Sequence, residues 1–444
     1  MTPGARSPPG RPGAAEGSAR AGPPSVHRGT VRGAPLCYEP SVLTPGAALR
    51  RVLDGLADIA PLSAERVPLG EAVSRALADD LVADRPLPAF DAATMDGYAL
   101  RAADAARAGA RLPVAFEVFA GHPGPGPLPA GGCCRIFTGA PLPAGADAVE
   151  QQEQVRRSGR SATFGRAAER GRFVRRAGTD VGEGAVAIAA GTELDPGSIG
   201  LAAALGRSEL AVRRRPRVAI LPTGDELVPL WRTPAPGQIV ESNGHAIAAA
   251  VREAGGIPLL LPVAGDRPDA LAAALAAARG ADVLVTTGGV SVGARDLVRD
   301  ALRRAGSRIH FWRVAMRPGK PFTFGRWGAA AVFGLPGNPA SALVSFELFV
   351  RPALRRLAGL PGSGRVEVPV RLAAAQEKPP ELEVFLRARL VRVRGELWAE
   401  PLKTQRSGGL RSAVGYDALA VLPAGPARLA RGARLRAIAV HPPA

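Results

Sequence analysis

Cysteine is scarce in this chain of 444 residues, with only Cys37 and the adjacent pair Cys133 and Cys134. Three such residues supply neither a disulfide framework nor a CxxC metal site. Long apolar runs are missing too: no stretch approaches the roughly 18 uninterrupted apolar residues of a membrane span, and the N-terminus lacks the apolar core of a signal peptide. A cytoplasmic protein with no membrane partner is expected. The histidines, His27, His122, His245, His310 and His441, are isolated, and no GxGxxG, Walker loop, Ser-His-Asp set or zinc cluster occurs. Aromatics make up 5% of the residues and do not interleave with the basic ones. The net charge of +18 is therefore read as scattered, solvated arginine rather than a nucleic-acid surface. Lysine occurs only at Lys320, Lys378 and Lys403, and asparagine only at Asn243 and Asn338. Where composition runs against a residue type, its presence in a turn points to a specific hydrogen-bonding or capping task.

With 46% hydrophobic residues, a chain of this length buries a sizeable core and divides into two to four domains. Residues 1–40 are rich in Pro, Gly, Ala and Arg, with too little apolar surface to offset the entropy of ordering, and are expected as a disordered tail. The patterns ALRRVLDGLADI, VPLGEAVSRALADDLVA and LDPGSIGLAAALG predict helices within 41–85 and 181–215. Between them, 86–180 alternates strand-like runs with Gly and Pro turns and reads as an inserted β domain. From Pro216 to about residue 361, strands alternate with helices, the signature of a parallel, doubly wound sheet. The long helix after LPGNP is expected to kink or end at Pro352. Short strands across 362–444 predict a C-terminal β-barrel or sandwich. The fold class is multidomain α/β.

In a doubly wound sheet, ligands bind beyond the carboxyl ends of the strands. Four turns leave such ends: PTGDEL with Thr223, Gly224 and Glu226, TTGGVSVG with Gly288, Gly289, Ser291 and Gly293, RPGKP at 317–321, and LPGNP with Pro336, Gly337, Asn338 and Pro339. Glycines let main-chain N–H groups approach an anion, and helix N-termini favour negative charge, so phosphate or another oxyanion is the natural guest. Asn338 is expected as an N-cap with Pro339 at the first helical position. Asp225, Glu226, Asp266 and Asp296 would repel an oxyanion unless a divalent cation bridged them, which points to Mg²⁺; helix capping is the alternative for Asp225 and Asp266. Arg313, Arg317 and Lys320 provide matching positive charge. Upstream, Asp96 and Thr138 lie in strand-turn elements.

MDGYA at 95–99, TGAPLPAGADAV at 138–149, RRAGTDVGEG at 175–184, PTGDEL, TTGGVSVGARD, MRPGKPFTFG and GLPGNPAS, in that order, resemble the molybdopterin molybdenumtransferases of the MoeA type, to which the E domain of gephyrin also belongs. The resemblance covers about residues 41–444. It implies an elongated helical dimerisation part, an inserted β domain, a MogA-like molybdopterin-binding α/β domain and a C-terminal β domain. It also implies a homodimer with its cleft between the α/β domain of one subunit and the inserted domain of the other. The implied reaction takes adenylylated molybdopterin and molybdate and releases AMP with Mg²⁺. By motif, the catalytic positions are Asp96, Thr138, Asp180, Glu226, Asp266 and Asp296, with Glu226 and Asp296 on the metal. Arg387 in FLRAR and Ser407 in QRSGG match substrate-binding positions, and other molybdenum cofactor biosynthesis proteins are implied partners. The sequence departs from the family at Ala294-Arg295, at Arg313 and Arg317 in place of lysine, and at Arg406. A single-domain adenylyltransferase of the MogA type would lack the MDGYA-bearing insertion. A non-catalytic scaffold of the same fold is the other alternative.

Overall fold

The computed structural model of the protein describes residues 42–289 and 297–441. The expected tail, Ser291, Gly293 and Asp296 lie outside the described residues. Thr44 starts helix α1 (Pro45–Asp54): its hydroxyl accepts from Ala47 N at 3.3 Å, and Pro45 takes a first-turn position where no N–H is needed. Ala48, Val52 and Leu56 are fully buried against the central sheet described below.

The next stretch departs from the periodicity. After strand β1 (Ala64–Pro68), a three-residue 3-10 turn forms at Leu69–Glu71, and the helix expected to follow a turn within 67–83 is absent. Instead Leu77 N donates to Thr192 O at 2.9 Å and Ala78 N to Ala211 O at 2.9 Å. Leu77, Leu81, Leu194, Leu205, Leu210 and Val212 bury together there. Each such side chain contributes about 1.5–3 kcal/mol, whereas helix propensity differs by under about 1 kcal/mol per residue, so tertiary burial overrides the pattern.

The inserted domain holds β2 (Gly97–Leu100), β3 (Arg111–Val118), β4 (Cys133–Ile136), β5 (Ala148–Gln151), β6 (Val155–Ser158) and β7 (Ser161–Phe164), in the sheet order β5-β2-β4-β3-β7-β6. Burial pushes the Cys133 and Cys134 thiols up to about 12, so this pair serves packing rather than redox chemistry. The chain returns through α2 (Pro196–Ala204), capped by Asp195 onto Ser198 N at 2.8 Å, and through β8 (Glu209–Arg213), which pairs antiparallel with β1.

The central sheet comprises β9 (Arg217–Pro222), β10 (Ile257–Leu260), β11 (Val283–Thr287), β12 (Arg308–Arg313), β13 (Pro321–Trp327) and β14 (Ala330–Leu335), in the order β10-β9-β11-β14-β13-β12. The first four run parallel, and β13 is antiparallel to both its neighbours. Helices α3 (Asn243–Glu253) and α6 (Pro339–Ser345) cover one face, where Ile247, Val251 and Val344 meet Val218, Val283 and Phe333. Helices α4 (Pro268–Ala277) and α5 (Leu297–Arg304) cover the other, where Leu271 and Leu302 meet Leu221 and Leu284. Pro352 does not end the long helix. A π-helical turn at Phe346–Val350 carries it into α7 (Arg351–Leu357). The widened turn, with Arg351 N on Phe346 O, accommodates a proline ring that would strike an ordinary α-helical carbonyl.

The C-terminal domain is a closed five-stranded barrel of β15 (Glu367–Leu372), β16 (Glu383–Val393), β17 (Glu396–Pro401), β18 (Ala418–Leu422) and β19 (Arg434–Ala439). Its order is β16-β17-β15-β19-β18, with β18 pairing back onto β16. Val384, Leu386, Ala388 and Leu390 fill the interior. The alternate residue Phe385 packs outward into the core of the α/β domain, with Leu419 and Val421 of β18.

Candidate functional site

Because β10, β9, β11, β14 and β12 point the same way, the turns that follow them share one rim with the start of β13. Hydrogen bonds lace these turns together. Thr223 N donates to Thr287 O at 3.0 Å, Gly224 N to Ala264 O at 3.1 Å and Gly288 N to Leu335 O at 3.2 Å. Gly288 has φ +89°, and a Cβ there would lie 2.6 Å from Thr223 O, so only glycine allows this approach. A Cβ on Gly337 would lie 3.6 Å from Gly288 Cα, which brings the LPGNP turn against the TTGG turn. Gly289 completes the described part of that loop at φ +65°.

A cleft of about 920 Å³ opens where this rim meets the barrel. Its walls include Arg317, Lys320, Asn338 and Ser407 among the expected residues, and Gln405 and Arg406, which sequence reasoning did not assign to the site. Met316 and Arg317 pair in parallel with Glu383 and Val384 of β16, fixing the RPGKP turn to the barrel. Asn338 occupies the N-cap position of α6 but makes no side-chain cap bond. Its Nδ2 donates instead to Ser407 Oγ at 3.2 Å, and Ala340 N donates to Ser407 O at 3.1 Å. The expected cap is thus a tie between domains. Arg313 ends β12 with its guanidinium stacked 3.9 Å from the Trp312 ring centre, and its buried Nε has no hydrogen-bond partner among the described residues.

Behind the cleft wall lies Arg387, on the outward face of β16 and 1% exposed. Gln405, a wall residue, brackets its main chain, with Oε1 accepting from Arg387 N at 3.2 Å and Nε2 donating to Arg387 O at 2.9 Å. None of the three guanidinium nitrogens has a hydrogen-bond partner among the described residues. Burial holds its pKa below the usual arginine range. An isolated buried cation is costly, and it calls for an anion.

The acidic group on the rim is equally charged. Asp225 Oδ1 accepts from Asp266 N at 2.9 Å, and Arg267 rather than Asp266 holds the N-cap position of α4, so helix capping is not the role of either carboxylate. Gly224 has φ +146°, and a Cβ on it would meet Glu226 Oε2 at 2.5 Å, so the Glu226 carboxylate folds over its own turn. Burial, then the charges of Asp225 and Glu226, raise Asp266 above the ordinary carboxylate range. A divalent cation would relieve this crowding, and all-oxygen donors suit Mg²⁺. Among the described residues no three His, Cys, Asp or Glu side chains are grouped to hold a metal ion.

On the inserted domain, Asp96 Oδ1 accepts from Thr138 N at 2.8 Å and from Thr138 Oγ1 at 2.7 Å. The main-chain donor first, and the hydroxyl second, hold Asp96 below the ordinary carboxylate range. Asp180 does not join this pair; its carboxylate bonds to Arg175. No hydrogen bond or ion pair among the described residues links Asp96, Thr138 or Asp180 to the rim within one chain. No helix among the described residues is long and apolar enough to cross a membrane.

Comparison with known proteins places this geometry. Residues 43–206 match the MoeA N-terminal region (domain I and II), 219–356 the probable molybdopterin binding domain, and 369–439 the MoeA C-terminal region (domain IV). The chain is 41% identical over 332 residues to molybdopterin molybdenumtransferase 2 of Mycobacterium tuberculosis H37Rv, covering 72% of this chain and 82% of the relative. It is 37% identical over 404 residues to the molybdopterin molybdenumtransferase of Synechococcus elongatus, covering 88% of this chain and 98% of the relative. The crystal structure of a molybdopterin biosynthesis MoeA protein from Pyrococcus horikoshii OT3 superposes with a TM-score of 0.78 at 30% identity, covering 90% of this chain and 100% of that one.

Proposed function

The chain belongs to the molybdopterin molybdenumtransferase family, and we propose that it transfers molybdenum from molybdate to the dithiolene of adenylylated molybdopterin and releases AMP. The observation that carries this reading is a cleft lined by Arg317, Lys320 and Ser407, whose wall residue Gln405 holds the main chain of Arg387, a buried guanidinium without a hydrogen-bond partner among the described residues. A tetrahedral oxyanion such as molybdate satisfies that charge and accepts from Lys320 and the Ser407 hydroxyl. Of the glycine turns, the main-chain N–H groups of Gly289 and Gly337, which donate to no described residue, are offered to the phosphate of the adenylylated substrate.

Mg²⁺ is assigned to Glu226 and Asp296, with Asp266 alongside, and would neutralise phosphate charge there. Asp96, oriented by Thr138, and Asp180 act from the inserted domain. Since no hydrogen bond or ion pair among the described residues joins them to the rim within one chain, a homodimer whose cleft draws on both subunits is proposed, in the cytoplasm. Other molybdenum cofactor biosynthesis proteins are the proposed partners that supply the substrate. Titration calorimetry with molybdate tests the central assignment. The parent is expected to bind it, and Arg387→Met to lose at least about tenfold in affinity, the scale of one charge-assisted hydrogen bond. Equal binding by the two would remove Arg387 from the site.

A further inference from the structure

We propose that Asn243 is a positioning residue of the rim: it holds the Gly337 carbonyl and thereby orients the Pro336–Asn338 turn against the cleft. This rests on the functional reading above. The only two asparagines of the chain meet at this one turn. Asn243 Nδ2 donates to Gly337 O across 2.6 Å, joining residues 94 positions apart. That contact sets which way the amide faces, because the side-chain oxygen in the same place would oppose a carbonyl. One residue on, Asn338 Nδ2 reaches Ser407 Oγ, so the turn is tied to α3 on one side and to the barrel loop on the other.

Helix capping does not account for Asn243. It opens α3, but the next amide, Gly244 N, is already satisfied by Glu241 Oε1 at 2.6 Å. The Asn243 Oδ1 atom is buried and accepts from no described residue, so the side chain's one hydrogen bond among the described residues goes to Gly337. The Gly337–Asn338 peptide is trans. In a planar trans peptide, fixing the C=O fixes the N–H on the opposite edge, here that of Asn338, which lines the cleft. Losing the Asn243 bond frees that plane to rotate while leaving the sheet and its core untouched.

Asn243→Asp is the sharpest test, since it keeps the shape and turns the donor into an acceptor facing Gly337 O. In AMP release from adenylylated molybdopterin with molybdate and Mg²⁺, kcat is expected to fall about a hundredfold, the scale of a 1 Å misplacement, with KM nearly unchanged. Amide hydrogen exchange over 334–345 should quicken while other segments keep the parent rate. Asn243→Gln, which retains a donor, should recover part of the loss. Parental kcat and parental exchange over 334–345 in Asn243→Asp would overturn the proposal, and so would a kcat loss that tracks melting temperature across the variants. If Asn243→Asp does not fold, Asn243→Ala carries the same two readouts. A parent that releases no AMP would refute the functional reading alone, and exchange over 334–345 in Asn243→Ala would still decide the positioning role.

Discussion

Thr138 donates twice to one oxygen of Asp96, from its main chain at 2.8 Å and from its hydroxyl at 2.7 Å. Both bonds favour the ionised carboxylate, with the main-chain donor the stronger influence. Thr138→Val removes the hydroxyl and keeps the N–H, so the Asp96 pKa should rise toward its ordinary value. If the Asp96 carboxylate takes part in the reaction, the acid limb of the kcat/KM profile for AMP release moves to higher pH. An unmoved limb would mean that Asp96 ionisation does not govern turnover.

Arg387 separates stability from function. Removing an unpaired buried cation relieves a desolvation cost of several kcal/mol, and each kcal/mol regained is worth about 2–4 °C in a domain of 150–250 residues. Arg387→Met is therefore expected to melt at or above the parent temperature while losing AMP release. A large fall in melting temperature by calorimetry would show that the guanidinium has a structural partner.

The barrel is fastened to the α/β domain by a buried ion cluster. Glu347 accepts from Arg351 at 2.7 and 2.9 Å and from Arg365 at 2.9 and 3.2 Å, while Arg365 also reaches Val440 O at 2.6 Å and Glu253 at 2.7 Å. Burial alone would raise the Glu347 pKa, but the two arginines outweigh it and hold the carboxyl below the ordinary glutamate range. Its contribution is thus full above the unfolded value and is lost as pH falls through the lower folded one. Glu347→Gln should cost about 3 kcal/mol at pH 7. Urea titrations should show that difference shrinking below about pH 4. A difference independent of pH would point to packing instead.

A composite cleft predicts complementation. Homodimers of Asp96→Ala and of Glu226→Ala should both be inactive, whereas co-expressed heterodimers should regain activity through the one cleft free of both substitutions. Heterodimers that stay inactive would place both residues in one subunit's site.

Much of this was legible in the sequence, for identifiable reasons. Strands such as Val283–Thr287 are buried on both faces, and Pro339 at the first turn of α6 marks a helix start, so the α/β domain reads directly. Within 67–83 the sequence misleads, because Leu77 and Leu81 fit a helical period yet bury through pairing with segments more than 100 residues away. Asn338 has the sequence of a cap, but its partner, Ser407, lies 69 positions on. Asn243 stood out only by rarity. Long-range bonds of this kind have no local signature.

The most direct test of the function is to incubate the purified protein with adenylylated molybdopterin, molybdate and Mg²⁺ and follow AMP by chromatography. The expected result is AMP release that requires molybdate and is lost in Glu226→Ala. AMP release at the same rate without molybdate, or none from the parent protein, would contradict it.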